Sequence, residues 1–116
     1  MNLDQSTWEN QLLSEKNGLI LDVRTPEEFE TSRIPNSKNI DFYNPQNFMQ
    51  EIEKLDKGKS YYVYCRTQNR STKTANYLKE NGYKEITVIA GGITSWVKNG
   101  NDLVYNFSEI INSTEN

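Results

Sequence analysis

The chain alternates short strand-forming runs with amphipathic segments, and this alternation constrains its fold more than any other feature. Apolar, aromatic or β-branched runs occur at "GLILDV" (18–23), "SYYVYC" (60–65) and "EITVIAGG" (85–92), and "KNIDF" (38–42) resembles a further short strand. Strands that alternate with helices favour a mostly parallel sheet covered on both faces. The sequence therefore predicts an α/β fold, in which reactive groups collect at the carboxyl ends of the strands.

Helix start signals stand between the strands. Thr25 is a good N-cap for a helix with Pro26 at its first position, and two glutamates follow in the first turn. Asn44 and Pro45 begin the next predicted helix, which Gly58 is expected to end. Other residues at helical spacing are Phe48, Ile52 and Leu55; Trp8, Leu12 and Leu13; Ala75 and Leu78, before a stop at Gly82; and Ile93, Trp96 and Val97.

The length of 116 residues fits a single domain over 1–116, with a core at about 4–100 and a partly ordered tail at 101–116. In that tail, "DLVYNF" is consistent with a strand or a strap. The net charge of -3 argues against a nucleic-acid binder, and no apolar run reaches the roughly 20 residues of a membrane span. A polar N-terminus without a visible secretory signal, and a single cysteine, predict a cytoplasmic protein.

The chain has no histidine, which excludes a Cys–His nucleophile pair and most zinc sites. We expect no metal and no cofactor. The single cysteine, Cys65, ends a predicted strand and comes shortly before a helix that Ser71 is predicted to begin. Loop N–H groups, the helix N-terminus and the permanent charges of Arg66 and Arg70 would favour a thiolate there. The alternative is that Cys65 is simply a small buried apolar residue.

Three separated blocks of the sequence resemble the rhodanese family of single-domain sulfurtransferases. They are "LILDVRTPEEFETSRIPNSKNI" (19–40), "VYCRTQNRS" (63–71) and "VIAGGITSW" (88–96). The resemblance implies a three-layer fold with a central five-stranded parallel sheet and helices on both faces. It also implies that Cys65 carries a persulfide, taking sulfur from an anionic donor such as thiosulfate or from a persulfide donor. Cyanide, a thiol or a sulfur-carrier protein would then accept that sulfur.

The resemblance also assigns roles to other residues. Substrate binding falls to the loop residues Arg66, Thr67, Gln68, Asn69, Arg70 and Ser71. Arg66 and Arg70 could instead be simply solvated charges, and for Arg70 an inward contact with a carboxylate is the equal alternative. Structural support of the site falls to Asp22, Arg24, Glu28, Gly91 and Gly92.

Loop length separates the sulfurtransferases from related proteins of the same fold. The six residues "CRTQNR" match the sulfurtransferases, whereas the phosphatases and arsenate reductases that resemble them have a loop one residue longer. Two other functions remain open: a non-catalytic binding or regulatory module, and such a phosphatase or reductase.

The sequence departs from the family pattern at three positions. Gln68 stands where glycine is common, so we expect it either to strain the loop or to narrow its mouth. Arg33 and Asn36 replace a histidine and a turn glycine, and asparagine tolerates a left-handed backbone better than most residues.

Overall fold

The structure is a computed structural model that describes residues 2–3, 18–101 and 103–105, with only the backbone given for residues 2, 3 and 105. The helix predicted around Trp8 and most of the tail after residue 101 lie outside these residues. Among the described helices, none is both long enough and apolar enough to cross a membrane.

The strands are β1 (Asn2–Leu3), β2 (Gly18–Asp22), β3 (Ser32–Arg33), β4 (Ser37–Asn39), β5 (Ser60–Tyr64), β6 (Glu85–Ile89) and β7 (Val104–Tyr105). The main sheet is parallel, with the order β1-β6-β5-β2-β4. Four strands form its body, and β1 adds no more than a two-residue pairing beside β6. β3 and β7 form a separate antiparallel pair. The predicted α/β fold with a parallel sheet is confirmed.

The helices are α1 (Pro26–Thr31), α2 (Pro45–Glu53), α3 (Asn69–Glu80) and α4 (Gly92–Lys98). The predicted caps of α1 and α2 are confirmed: Thr25 accepts a hydrogen bond from the Glu28 N–H, and Asn44 accepts one from the Asn47 N–H. Gly82, with φ +89°, follows the end of α3 as predicted.

Three details of the helix predictions are wrong. α2 ends at Glu53 rather than near Gly58, because the tighter Leu55 N–H to Ile52 C=O bond replaces the helical one. α3 begins at Asn69, two residues before Ser71. Val97 is 51% exposed, because the short α4 faces the sheet through Ile93 and Trp96.

Two apolar clusters cover opposite faces of the sheet, because successive side chains of a strand point to opposite sides. Tyr61, Val63 and Cys65 of the β5 segment belong to one cluster, which also takes side chains from α2 and α3. Tyr62 and Tyr64 belong to the other, which takes Ile93 and Trp96 from α4. The arrangement has three layers, and Cys65 lies at the carboxyl end of the central strand.

Candidate active site

The carboxyl ends of three strands place the chemistry-bearing residues at one edge of the sheet. Asp22 ends β2 and lies opposite Tyr64, the last residue of β5, in the parallel register. Cys65 follows Tyr64 directly. The turn after β6 reaches the same edge, since the Ile93 N–H donates to the Cys65 carbonyl at 2.9 Å. Residues from separate parts of the chain therefore surround the thiol.

The Cys65 sulfur is held at the amino end of α3. Its side chain is only 1% exposed, and Sγ lies 3.4 Å from the Ser71 backbone nitrogen, whose N–H donates to it. The thiol in turn donates to Ser71 Oγ at 3.4 Å, and that hydroxyl donates to the Gln68 carbonyl at 3.0 Å. A negative sulfur here would gain both from this N–H group and from the positive end of the helix dipole.

The loop from Cys65 to Arg70 is rich in backbone N–H groups that have no hydrogen-bond acceptor among the described residues. Within the part of the chain that the structure describes, the amide groups of residues 66–70 donate to no protein acceptor. Arg66, Thr67 and Asn69 are exposed, whereas Gln68 and Arg70 are half-buried. Successive backbone N–H groups without acceptors are donors that an anion can use. The predicted substrate-binding residues thus line one loop over the cysteine.

Gln68 is held by a contact across the loop. Its φ of -162° lies outside the left-handed region that favours glycine, so Gln68 does not adopt the positive φ for which a glycine would be needed here. Its side-chain oxygen accepts a hydrogen bond from the Gly91 N–H at 3.1 Å. By contrast, the expectation for Asn36 is confirmed, since this residue adopts a left-handed φ of +65°.

Gly92 permits the close packing of two turns. A Cβ atom placed on it would lie 2.3 Å from the Cys65 carbonyl oxygen and 2.6 Å from that of Thr67. These separations are far below a normal contact, and φ is +59°. Gly91 also has a positive φ, and a Cβ there would overlap Ser95. Gly92 therefore lets the β6–α4 turn lie directly against the loop, whereas a side chain at Gly91 would be excluded by Ser95 of α4 rather than by the loop.

Arg70 turns away from the loop mouth toward a carboxylate on α1. Its two terminal nitrogens donate to the two oxygens of Glu28 at 2.7 and 3.3 Å. Its guanidinium also stacks over the ring of Tyr43, which the sequence did not single out. Partial burial alone would raise the pKa of Glu28, but hydrogen bonds from Arg70 and Thr25 outweigh this effect and lower it to about 2. The structure thus shows the inward alternative for Arg70.

A second, deeper ion pair lies beneath the loop. Asp22 is fully buried and accepts hydrogen bonds from Arg24 at 2.6–3.1 Å and from the Tyr64 hydroxyl. Arg24 also donates to the Ser32 carbonyl at 2.6 Å. Burial alone would lower the pKa of Arg24, but its contact with Asp22 raises it, and burial raises the pKa of Tyr64. This network connects the end of β2 to β3 and β5.

Beside the loop lies a depression of about 340 Å³, between Arg66 and α1. Its lining residues are Arg24, Glu27, Glu28, Thr31, Ser32 and Arg66. Sequence reasoning did not single out Glu27 for this site. It also missed Thr94, whose hydroxyl and N–H both donate to the Arg66 carbonyl, at 2.9 and 3.1 Å. No sequence motif marks either residue, since only the fold brings Glu27 and Thr94 close to the loop.

Comparison with known proteins identifies the fold and the family. The family model described as "Rhodanese-like domain" matches residues 6–99. Thiosulfate sulfurtransferase GlpE of Pseudomonas syringae is 34% identical over 86 residues, which cover 74% of this chain and 78% of that protein. A rhodanese-like domain protein from Staphylococcus aureus superimposes with a TM-score of 0.72 at 31% identity, covering 87% of this chain and 92% of that one.

The protein belongs to the rhodanese-like domain family. Some relatives are much longer. The tRNA uridine(34) hydroxylase of Pelagibacter ubique is 32% identical over 97 residues, and these cover 84% of this chain but only 32% of that enzyme. The domain described here is therefore also similar to one part of a larger enzyme.

Proposed function

We propose that this protein is a sulfurtransferase that carries a sulfane sulfur as a persulfide on Cys65. The observation that carries the proposal is the position of Sγ, 3.4 Å from the Ser71 N–H beneath a loop of unused amide donors. Membership of the rhodanese-like family supports it, as does similarity to a relative named thiosulfate sulfurtransferase.

The first half-reaction transfers sulfur from the donor. The Cys65 thiolate attacks the outer sulfur of thiosulfate, a new S–S bond forms at Cys65, and the old S–S bond breaks. Sulfite leaves with the bonding electron pair, and the terminal persulfide sulfur is anionic. The loop amides of residues 66–70 and the positive end of α3 stabilise that charge, as an oxyanion hole stabilises oxygen. Arg66, exposed beside Cys65, attracts the donor's sulfonate.

The second half-reaction returns the enzyme to its starting state. A nucleophilic acceptor attacks the terminal sulfur of the persulfide, and Cys65 leaves as a thiolate. Cyanide would give thiocyanate, and a thiol would give its persulfide. A sulfur-carrier protein is a further acceptor in this proposal. Neither step needs an oxidant, a reductant, a metal or a cofactor. The single cysteine is consistent with action in a reducing cytoplasm.

The other residues of the site position the nucleophile in this proposal. Ser71 contacts the sulfur, and Gly91 and Gly92 let the neighbouring turn support the loop. Glu28 fixes Arg70 at the end of the loop, and the buried pair of Asp22 and Arg24 holds the strand end beneath it. Thr67 and Asn69 contribute backbone N–H groups at the exposed loop mouth.

Intact-mass measurement after incubation with thiosulfate tests the proposal. We expect the protein to gain the mass of one sulfur atom and to lose it again on addition of cyanide. Cys65→Ser should show no gain. No persulfide from thiosulfate, polysulfide or a persulfide donor would contradict the proposal. Hydrolysis of an aryl phosphate instead would favour the phosphatase alternative.

A further inference from the structure

Among the described residues, the depression beside the loop has one charged side chain of each sign without a partner. We call it the Arg66–Glu27 pocket, with the lining residues given above. Its other two charged groups are already paired: Arg24 with Asp22, and Glu28 with Arg70. Arg66 and Glu27 are exposed, and neither side chain contacts a partner among the described residues. Within the part of the chain that the structure describes, the pocket therefore presents an unpaired cation on the loop and an unpaired carboxylate on α1.

Thiosulfate does not explain both free charges. A small dianion would use the guanidinium of Arg66 and the loop amides, whereas a free carboxylate nearby would repel it. At about 340 Å³ the pocket lies within the size range of small-molecule sites, of about 300–1,000 Å³. The carboxylate of Glu27 favours a ligand that also carries a positive group. Opposite charges on two walls match a zwitterion.

We propose that the Arg66–Glu27 pocket binds the sulfur acceptor, and that this acceptor is a small zwitterionic thiol of the α-amino-acid type. The proposal rests on the sulfurtransferase function above. The acceptor's carboxylate pairs with Arg66, and its ammonium group pairs with Glu27. Because Arg66 directly follows Cys65 in the chain, a ligand bound by it lies beside the nucleophile loop.

The transfer step needs no further reactant. The acceptor's thiolate sulfur attacks the terminal sulfur of the Cys65 persulfide and forms a new S–S bond. The bond between that sulfur and Cys65 Sγ breaks, and Cys65 leaves as a thiolate. The product is the acceptor's persulfide, and the numbers of atoms and electrons balance on the two sides.

Acceptor discrimination in single-turnover reactions tests this assignment. Protein loaded with thiosulfate, with loading verified by mass, is discharged by four thiols compared at equal thiolate concentration. Cysteine has both charges, 3-mercaptopropionate has the carboxylate alone, cysteamine has the ammonium alone, and β-mercaptoethanol has neither. We expect cysteine to discharge the persulfide at the lowest concentration.

Two substitutions test the contributions of Glu27 and Arg66 to acceptor binding separately. Glu27→Gln should raise the half-saturating concentration of cysteine about three- to fivefold, the effect of one exposed ion pair, and leave that of 3-mercaptopropionate unchanged or lower. Arg66→Gln should raise the half-saturating concentration of both thiols that carry a carboxylate. Glu30→Gln is the matched control, since Glu30 is an exposed carboxylate of the same helix outside the pocket lining.

The outcomes separate this proposal from the function on which it rests. Failure of loading would contradict the sulfurtransferase function before any acceptor is added. Loaded protein discharged equally well by all four thiols, or equal effects of Glu27→Gln and Glu30→Gln, would overturn the pocket assignment alone. Titration with S-methylcysteine, which cannot react, tests binding without turnover. We expect the amide NMR signals of residues 27 and 66 to shift in both proteins, with a half-saturating concentration about three- to fivefold higher in Glu27→Gln than in the unsubstituted protein. No shift in the unsubstituted protein would also overturn the assignment.

Discussion

Gly91 donates its backbone N–H to the side-chain oxygen of Gln68 at 3.1 Å, joining the nucleophile loop to the turn that follows β6. The two residues are separated by 23 positions in the sequence. A backbone N–H can hydrogen-bond only to an acceptor, so the side-chain oxygen of Gln68, and not its NH₂ group, must face Gly91. The residue that departs from the family pattern in the loop is therefore an added connection between two elements of the site.

Gln68→Met should loosen this connection, because methionine has a similar length but lacks the amide oxygen. We expect the Gly91 amide to exchange with solvent about two- to tenfold faster, the effect of one lost hydrogen bond. Persulfide formation should slow as well. Hydrogen exchange followed by NMR measures the first effect. Gln68→Glu keeps an acceptor oxygen and should preserve the protection of Gly91; equal exchange in Gln68→Met and the unsubstituted protein would contradict the expectation.

Gly92→Ala should displace the loop, because its new Cβ would lie 2.3 Å from the Cys65 carbonyl oxygen at a backbone φ of +59°. We expect the free energy of unfolding to fall by about 2–4 kcal/mol, from strain and overpacking together, and sulfur transfer to be largely lost. Urea unfolding and the persulfide assay measure these effects.

Gly100→Ala is the control for Gly92→Ala. Gly100 has a similar φ of +80°, but no atom of the described residues lies within 4 Å of an added Cβ. Gly100→Ala should lower the free energy of unfolding by about 1 kcal/mol, and activity should be retained. Equal losses of activity in the two variants would show that close packing against the loop is not the cause.

Glu28→Gln should remove a contribution to stability that depends on pH. The folded protein lowers the pKa of Glu28 from 4.5 to about 2, so the Arg70 contact stabilises the fold above pH 4.5 and fades as the pH falls toward 2. The unsubstituted protein should be more stable than the variant at neutral pH, and the difference should shrink in acid. Urea unfolding over a pH series measures it; a difference that does not change with pH would contradict this linkage.

Tyr64→Phe should destabilise the support beneath the loop. The hydroxyl donates to the buried Asp22 carboxylate and accepts the Ile34 N–H at 3.2 Å, so its loss leaves both groups short of a partner. We expect a loss of about 1–3 kcal/mol in the free energy of unfolding. Tyr83→Phe is the comparison, since that hydroxyl donates to the Ile52 carbonyl, a neutral group. Its loss therefore leaves no buried charge without a partner. A smaller loss in Tyr64→Phe than in Tyr83→Phe would contradict the argument.

Local sequence signals were sufficient where a feature depends on neighbouring residues. The capping of α1 by Thr25 follows from side chains within one turn, and Asn36 needed only its own backbone preference. The end of α2 was mispredicted because Gly58 is a permissive stop signal, whereas the helix ends where local turn bonds form. The exposure of Val97 depends on how far a seven-residue helix lies over the sheet, which periodicity does not specify.

The sequence by itself determined the alternation of strands and helices, and with it the position of Cys65 at a strand end before a helix. These features depend on periodicity, caps and chain order. Only the tertiary structure decided that Arg70 pairs with Glu28, that Gln68 contacts Gly91, and that Glu27 and Arg66 line the same pocket. Each pair joins segments that are distant along the chain, and their distances are set by the packing of the sheet and helices.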